Sequence, residues 1–424
     1  MYREQQLKAL LQDRRILIAG YGREGRSAER LILRLVPDSH YTIADGNDQI
    51  AAESAKGYDL IIKSPGVPMR VLSADTWPRT TSLTDLFLQV YGDMTIGVTG
   101  TKGKSTTASL IHHLLPGSVL AGNIGLPLFD ILDDLHEGSL VVAELSCHQL
   151  EVLQRSPHIA VLLNLFQEHL DHYENYMGYK MAKMQIALHQ SSDDHFFYCT
   201  DNAELRSMVD DRAGECRGMM HPYSLDTISD EGRRLLDVSP LPGDHNRSNA
   251  LVACRVAELA SQQSFDDLRN RLATFKGLHH RLELVGTYRG ITFYNDSIST
   301  IPQATIAALQ SLRNVETLIL GGYDRGIDYT PLVDYLATDT AVHNIVFVGA
   351  AGRRMYGLMT SKEGREVLLC DDYASIVDWC YRHTSPGGVC LLSPAAASYD
   401  SFKNFEQRGE TFCELVKQYK GLRV

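Results

Sequence analysis

The chain has 424 residues, too many for one ordinary hydrophobic core, so about two to four domains are expected. Its 44% hydrophobic and 22% charged residues are typical of soluble enzymes, and a net charge of −11 argues against nucleic-acid or anionic-membrane partners. The eight cysteines form no C-x-x-C pair, residues 1–15 lack the apolar stretch of a signal peptide, and no apolar run could span a bilayer. We therefore expect a cytoplasmic protein with reduced thiols.

The first 91 residues alternate strands with helices, which predicts a parallel, Rossmann-like sheet. The predicted strands and the closing helix lie at Arg15–Gly20, Tyr41–Asp45, Asp59–Ile62 and Thr84–Tyr91. A glycine turn at residues 20–25 (GYGREG) joins the first strand to a helix that ends near Leu35. Asp45 follows these glycines by about 20 residues, as a dinucleotide-binding fingerprint requires.

Residues 95–107 (TIGVTGTKGKSTT) have the strand, glycine turn and helix of a phosphate-binding loop. Glycines let successive backbone amides face an anion, and the start of a helix adds partial positive charge. The helix is predicted from Thr106 to Leu115; Lys104 can reach the β- and γ-phosphates, and Ser105 can hold Mg²⁺. The pattern departs from G-x-x-x-x-G-K-[ST] because Val98 takes the place of the first glycine. We nevertheless predict that the chain binds ATP.

Two apolar runs, Leu140–Ala143 and Ile159–Leu163, predict buried parallel strands. Glu144 follows the first run, and His169 follows the second by a few residues. Ligands bind at the carboxyl edge of such sheets, so we expect these strands to be adjacent and to present both side chains to Mg²⁺. Asn123, within AGNIG at residues 121–125, is by itself an ordinary turn asparagine.

The remaining sequence predicts further elements on both sides of a featureless stretch. Lys183 lies on a predicted helix over Tyr176–His189, residues 200–240 look polar and irregular, and Gly243 precedes a long alanine-rich helix. From Arg281 onward a second Rossmann-like domain is predicted, with strands near residues 290–294, 316–320, 344–348, 366–369 and 388–391. Asp296 could bind a ribose or cap a helix over Ile301–Leu312, and spacing alone favours neither.

These motifs together resemble those of the Mur ligase family, the ATP-dependent amino-acid ligases of peptidoglycan synthesis. The resemblance rests on the G-T-x-G-K-S-T form of residues 100–106, AGNIG at 121–125, ELS at 144–146 and DHNRSNAL at 244–251, and covers essentially the whole chain. Residues 393–409 (SPAAASYDSFKNFEQRG) are the most specific part and resemble the branch that adds D-glutamate.

The resemblance implies an α/β fold of three domains. Residues 1–91 would form a Rossmann-like domain that binds the UDP-sugar, and residues 92–280 a central P-loop ATPase-like domain with a mainly parallel sheet. Residues 281–424 would form a Rossmann-like C-terminal domain that binds the amino acid.

The resemblance also implies roles for individual residues. ATP would contact Gly100, Thr101, Lys102, Gly103, Lys104, Ser105, Thr106, Asn246, Asn249, Arg281 and Asp296. Mg²⁺ would be held by Ser105, Glu144, His169 and a carbamate formed on Lys183. The substrates would contact Gly22, Asp45 and Asn123 on the UDP-sugar side, and Thr300, Arg325, Ser398 and Phe405 on the D-glutamate side. The catalytic group would comprise Lys104, Glu144, His169 and Lys183.

The implied reaction uses ATP to convert the carboxylate of UDP-N-acetylmuramoyl-L-alanine into an acyl phosphate, which the amine of D-glutamate then attacks. The chain would act as a monomer, without nucleic acid and without insertion into a membrane. It departs from the family pattern at Ile298, where a lysine is common, at Ile301, where an asparagine is common, and at Arg325, another usual lysine. An arginine keeps the charge and can bind a carboxylate through two parallel hydrogen bonds.

Four other functions would explain parts of the sequence. A folylpolyglutamate-type ligase would lack the Rossmann-like block ahead of the phosphate loop. A sister Mur ligase could add another amino acid, including L-glutamate, because residues do not reveal chirality. An NAD-dependent dehydrogenase would explain residues 20–25 and Asp45 but not the phosphate loop. A non-catalytic nucleotide-binding regulator would have no use for Glu144, His169 and Lys183 together.

Overall fold

The computed structural model describes residues 2–169, 172–241, 243–261, 263–338, 341–359, 364–419 and 421. The chain forms two compact units, Met1–Ser239 with Asp244–Phe275 and Pro240–Gly243 with Lys276–Val424. The described residues of the first unit hold two sheets, and those of the second unit hold one. In those same residues, no helix is both long and apolar enough to cross a membrane.

The first sheet is parallel and Rossmann-like, as predicted. Its elements in chain order are α1 (Tyr2–Leu11), β1 (Ile16–Ala19), α2 (Arg23–Leu35), β2 (Tyr41–Ala44), α3 (Asn47–Ser54), β3 (Leu60–Lys63), β4 (Thr80–Thr81) and α4 (Leu83–Tyr91). The strand order is β2-β1-β3-β4. A Cβ on Gly25 would lie 2.1 Å from the Gly20 carbonyl oxygen, so only glycine permits this tight turn into α2.

The second sheet is also parallel and has the order β10-β9-β8-β5-β7-β6. Its strands are β5 (Thr95–Thr99), β6 (Val119–Gly122), β7 (Val141–Glu144), β8 (Ile159–Leu162), β9 (His195–Cys199) and β10 (Met219–Tyr223). Its helices are α5 (Lys104–Leu114), α6 (Cys147–Leu150), α7 (Tyr176–Leu188), α8 (Ala203–Asp211), α9 (Asp230–Leu236), α10 (Asp244–Ser261) and α11 (Phe265–Ala273). Because β5 lies at the centre, the phosphate loop is flanked by strands on both sides.

Three predictions for this region are wrong. The strands β7 and β8 are not adjacent, since β5 lies between them; a buried apolar run reveals burial but not its neighbours. Residues 200–240 are not irregular, because they contain α8, β10 and α9. The partly exposed edge strand β10 lacks the apolar run that marks a buried strand. The helix after the phosphate loop begins at Lys104, two residues earlier than predicted.

The sheet of the second unit contains the five predicted strands and one more. Its elements are β11 (Glu283–Tyr288), β12 (Ile291–Asn295), α12 (Pro302–Ser311), β13 (Val315–Gly321), α13 (Thr330–Thr338), β14 (Asn344–Val348), α14 (Gly349–Leu358), β15 (Glu366–Leu369), α15 (Tyr373–His383), β16 (Val389–Leu392) and α16 (Phe405–Tyr419). The order is β11-β12-β16-β13-β14-β15, with β11 antiparallel to β12 and the other pairs parallel. Apolar clusters cover both faces of this sheet.

Candidate active site

The phosphate loop, residues 100–106, lies between the ends of β5 and α5 and is held by Asn164, which follows β8. The Thr101 and Lys102 amides donate to the backbone and side-chain oxygens of Asn164, at 3.0 and 2.9 Å. Gly103 has a φ of 85°, and a Cβ there would lie 2.7 Å from Asn249 Oδ1. A side chain at position 103 would therefore collide with Asn249, so this turn of the phosphate loop requires glycine. Ser105 and Thr106 form the first turn of α5, where helix amides attract anions.

Two lysine amines converge on one carbonyl of this loop. Lys104 Nζ donates to the carbonyls of Gly100 and Thr101, both at 2.9 Å, and Lys183 Nζ donates to Gly100 at 2.8 Å. Lys183 is almost fully buried, and burial together with the charge of Lys104 lowers its pKa to about 7. A large fraction of Lys183 is therefore neutral near pH 7, the form in which an amine reacts with CO₂.

Glu144 ends β7, and only one of the two oxygens of its buried carboxylate has a hydrogen-bond partner among the described residues. Oε1 accepts a hydrogen bond from Asn123 Nδ2 at 2.7 Å, and the Asn123 amide donates to the Glu144 carbonyl at 2.8 Å. Oε2 has no hydrogen-bond partner among the described residues. A buried, unpaired carboxylate oxygen is costly, and a hard cation such as Mg²⁺ is a fitting partner. Asn123, predicted to contact substrate, is seen here orienting Glu144.

His169 lies beside the loop in an exposed position with a φ of 58°. Its ring centroid is 4.8 Å from that of His148 and 6.0 Å from that of Tyr179. Tyr179 in turn has its hydroxyl 2.8 Å from Thr101 Oγ1, which connects α7 to the phosphate loop. Burial lowers the pKa of His148 to about 4, with the neighbouring imidazoles adding to the effect, so this ring is neutral.

The described residues hold no group of three or more His, Cys, Asp or Glu arranged for a metal ion. A Mg²⁺ ion at Glu144 would therefore need other oxygen donors, such as Ser105, a carbamate, phosphate oxygens and water. This donor chemistry suits a metal that arrives with a nucleotide.

The other predicted residues of the first unit lie at two places. Asn246 and Asn249 are buried on α10; Asn249 packs against Gly103 of the phosphate loop, and its Nδ2 lies 3.5 Å from Asn246 Oδ1. Asp45 Oδ1 accepts a hydrogen bond from the Tyr21 amide at 3.0 Å and so stabilises the glycine turn. Gly22, at the start of α2 in that turn, is exposed and would leave open space around a Cβ.

The second unit collects the predicted D-glutamate residues at the carboxyl ends of its strands. Arg325 Nη2 donates to the Thr300 carbonyl at 2.9 Å, and the buried Ser398 accepts backbone hydrogen bonds from the turn after it. Ser297 Oγ donates to the Phe405 carbonyl at 2.8 Å. Sequence reasoning assigned no role to Arg408, because a charged residue is normally expected at the surface. In the structure, the side chain of Arg408 is fully buried.

Asp296 is buried, and its carboxylate accepts hydrogen bonds from Ser393 Oγ at 2.7 Å and from the Leu282 amide at 3.2 Å. Burial raises its pKa to about 6. Asp296 is not a helix cap, because α12 begins at Pro302 with Ile301 in the capping position. Arg281, which is exposed, belongs to the same unit.

Family models match most of the last three quarters of the chain. The model described as Mur ligase middle domain matches residues 98–257, and the model described as Mur ligase, glutamate ligase domain matches residues 280–396.

Curated relatives extend the similarity over nearly the whole chain. A UDP-N-acetylmuramoylalanine--D-glutamate ligase of Acetivibrio thermocellus is 32% identical, with 89% of this chain and 86% of its own covered. The protein of that name from Latilactobacillus sakei is 32% identical, with 97% and 98% covered. A UDP-N-acetylmuramoyl-L-alanine--L-glutamate ligase of Salinispora tropica is 33% identical, with 97% and 99% covered.

Solved structures with lower identity share the fold. MurF from Acinetobacter baumannii has a TM-score of 0.60 at 18% identity and covers 97% of this chain and 98% of its own. The MurF ligase of Thermotoga maritima in complex with ADP has a TM-score of 0.56 at 17% identity, with the same coverages.

Proposed function

The chain belongs to the Mur ligase family of ATP-dependent ligases, and we propose that it joins D-glutamate to UDP-N-acetylmuramoyl-L-alanine in peptidoglycan synthesis. The observation that carries this proposal is the grouping of Glu144, Lys104 and Lys183 around a phosphate loop. The names of the relatives from Acetivibrio thermocellus and Latilactobacillus sakei support the same substrates. We place the reaction in the cytoplasm and expect a monomer with domains at residues 1–91, 92–280 and 281–424.

The residues of the phosphate loop would bind the triphosphate of ATP. Lys104 would exchange its bonds to loop carbonyls for phosphate oxygens and so reduce the repulsion between the γ-phosphate and the attacking substrate carboxylate. Bound Mg²⁺ would neutralise phosphate charge, with Ser105, Glu144 and His169 as its protein ligands. Asn249, next to Gly103, and Asn246 would lie near the nucleotide, and Arg281 and Asp296 are proposed as further ATP-binding residues.

Lys183 would complete the metal site as a carbamate. Its neutral amine attacks the carbon of CO₂, so an N–C bond forms while one C=O π bond places its electron pair on oxygen. One N–H proton leaves to solvent, and the neutral amine becomes an anionic oxygen donor. The lowered pKa of Lys183 supports this step because it leaves far more of the amine unprotonated at neutral pH than an ordinary lysine would have.

The substrates would be held at two sheet edges. Gly22 and Asp45, in and beside the glycine turn, would serve the uridine diphosphate, with Asn123 nearer the reacting end of the sugar conjugate. Arg325 and Thr300, which touch each other, would bind a glutamate carboxylate, and Ser398 and Phe405 would complete the pocket. L-Glutamate is the second candidate amino acid, because the Salinispora tropica relative is named for it.

The direct test is ADP release by the purified chain with UDP-N-acetylmuramoyl-L-alanine, ATP and Mg²⁺. We expect release only when D-glutamate is added, together with a sugar conjugate heavier by one glutamyl residue in mass spectrometry. Release with L-glutamate instead would establish the second candidate. Equal release with and without any amino acid would contradict both.

A further inference from the structure

A buried ion pair connects the first sheet to the segment that follows Glu144. Lys63 ends β3 with a fully buried side chain whose Nζ lies 2.7 Å from Glu151 Oε2. The same Nζ donates to the Val67 carbonyl at 2.8 Å. The side chain of Glu151 is only 7% exposed, and its other oxygen, Oε1, lies 2.7 Å from His172 Nε2. Glu151 therefore joins a lysine and a histidine from separate parts of the first unit.

Glu151 is tied closely to both segments that carry candidate metal ligands. On one side, Glu144 and Glu151 are linked through the single helical turn α6, which a reciprocal capping box between Ser146 and Gln149 keeps rigid. On the other side, the His172 amide donates to the His169 carbonyl at 3.1 Å, so a fixed His172 also fixes His169.

Further contacts connect the same two segments to the first sheet. Gln149 Nε2 donates to Glu24 Oε1, in the glycine turn, at 2.8 Å. Arg70, which follows β3, donates to the His172 carbonyl. Both segments that carry candidate metal ligands therefore contact residues that flank the strands of the first sheet.

We propose that Glu151 is a positioning residue that sets the separation of Glu144 and His169 through its hydrogen bond to His172. The inference rests on the proposed function only in taking Glu144 and His169 as metal ligands. Some residues hydrogen-bond to metal ligands without touching the metal. Their removal typically lowers metal affinity by about 10- to 100-fold. Removing an exposed ion pair should have little effect on metal affinity, because water takes the place of either partner.

The test uses variants that separate packing from positioning. Removing one charge leaves the other buried and uncompensated, which destabilises the fold, whereas replacing both by apolar side chains of similar length is often neutral. We therefore compare Lys63→Met/Glu151→Met, which loses the bond to His172, with Lys63→Met/Glu151→Gln, which retains an acceptor for it. Asp133→Asn is the control, because Asp133 forms an exposed ion pair with Arg34.

The measurement is Mn²⁺ binding to each full-length variant with a non-hydrolysable ATP analogue, followed by electron paramagnetic resonance of free Mn²⁺. We expect the Mn²⁺ dissociation constant to rise about tenfold or more in the Met/Met variant. It should stay near the wild-type value in the Met/Gln variant and in Asp133→Asn. Thermal unfolding of the Met/Met variant should remain cooperative.

Wild-type Mn²⁺ affinity in the Met/Met variant would overturn the inference. Equal losses in both double variants would overturn it too, because the bond to His172 would then not be the determinant. The assay needs no turnover, so failure of the proposed ligase reaction appears separately, as absence of D-glutamate-dependent ADP release from the wild-type chain.

Discussion

At the scale of single residues, the site depends on side chains whose ordinary ionisation is altered by burial. Lys183 and Asp296 both have pKa values displaced toward neutrality, one downward to about 7 and one upward to about 6. In each case burial is the main cause, because low polarity disfavours the charged form of either group. Both groups can therefore change protonation near physiological pH.

Replacing Lys183 with alanine should reduce ADP release by about two to three orders of magnitude, because the proposed metal site would lose the carbamate as an anionic ligand. Added formate or acetate should restore part of the rate. The control is Lys180→Ala on the same helix, since Lys180 forms an ion pair with Glu204 on α8. Unchanged rates in Lys183→Ala would remove this lysine from the site.

Asp296 should make the second unit less stable as the pH rises. Its folded-state pKa of about 6 lies above the ordinary value of 3.8, so the protonated form is favoured by folding. This contribution is present below about pH 4 and is lost as the pH rises through 6. We expect Asp296→Asn to increase the free energy of unfolding at pH 8 by about 1 to 3 kcal/mol, measured by denaturant titration. A gain of the same size at pH 4 would contradict this explanation.

At the scale of elements, Arg408 holds three segments of the second unit together. From α16, its Nε donates to Ser297 Oγ at 2.9 Å and its Nη2 to the Ser297 carbonyl at 2.8 Å. The same guanidinium reaches the carbonyls of Ala396 and Ala397 at 3.1 and 3.2 Å. The loops that follow β12 and β16 are thereby fixed against one helix, next to Ser398 and Phe405.

Replacing Arg408 with methionine should lower the free energy of unfolding of the second unit by about 3 kcal/mol, because buried carbonyl acceptors lose their donor. Lys417→Met, also on α16, is the matched control and should have little effect. Chemical denaturation followed by circular dichroism measures both. A loss below about 1 kcal/mol would show that the loops hold their conformation without this residue.

Sequence reasoning predicted the elements that carry strong local signals. The glycines of the phosphate loop and the apolar runs of β7 and β8 have such signals, and the fold class is confirmed. The edge strands β10 and β11 were missed because partial exposure removes the apolar run. The contacts of Asn123 with Glu144 and of Lys63 with Glu151 were also missed, because they join residues 21 and 88 positions apart and no local pattern encodes such pairs. The site assignments themselves remain predictions.

At the scale of the whole molecule, the division into two units has thermodynamic consequences. Each unit has its own sheet or sheets and its own buried clusters, with the phosphate loop in the first and the predicted D-glutamate residues in the second. Each unit therefore has the apolar core that independent unfolding requires.

Calorimetry of the whole chain should show two unfolding transitions. An ATP analogue with Mg²⁺ at about 100 times its dissociation constant should stabilise the first unit by about 2.7 kcal/mol and raise its transition temperature. Arg408→Met should lower the other transition. One transition that responds equally to the nucleotide and to the substitution would contradict independent units.

The carbonyl of Gly100, shared by Lys104 and Lys183, has a consequence for the thermodynamics of nucleotide association. Without a bound nucleotide, burial and the adjacent charge of Lys104 favour loss of the Lys183 hydrogen ion at about pH 7. An arriving polyanion reverses that preference, so an unmodified lysine should recapture hydrogen ions from the buffer as the complex forms. Titration calorimetry in buffers of differing ionisation enthalpy would register this uptake above pH 7. The uptake should vanish in protein whose amine CO₂ has already converted to a carbamate.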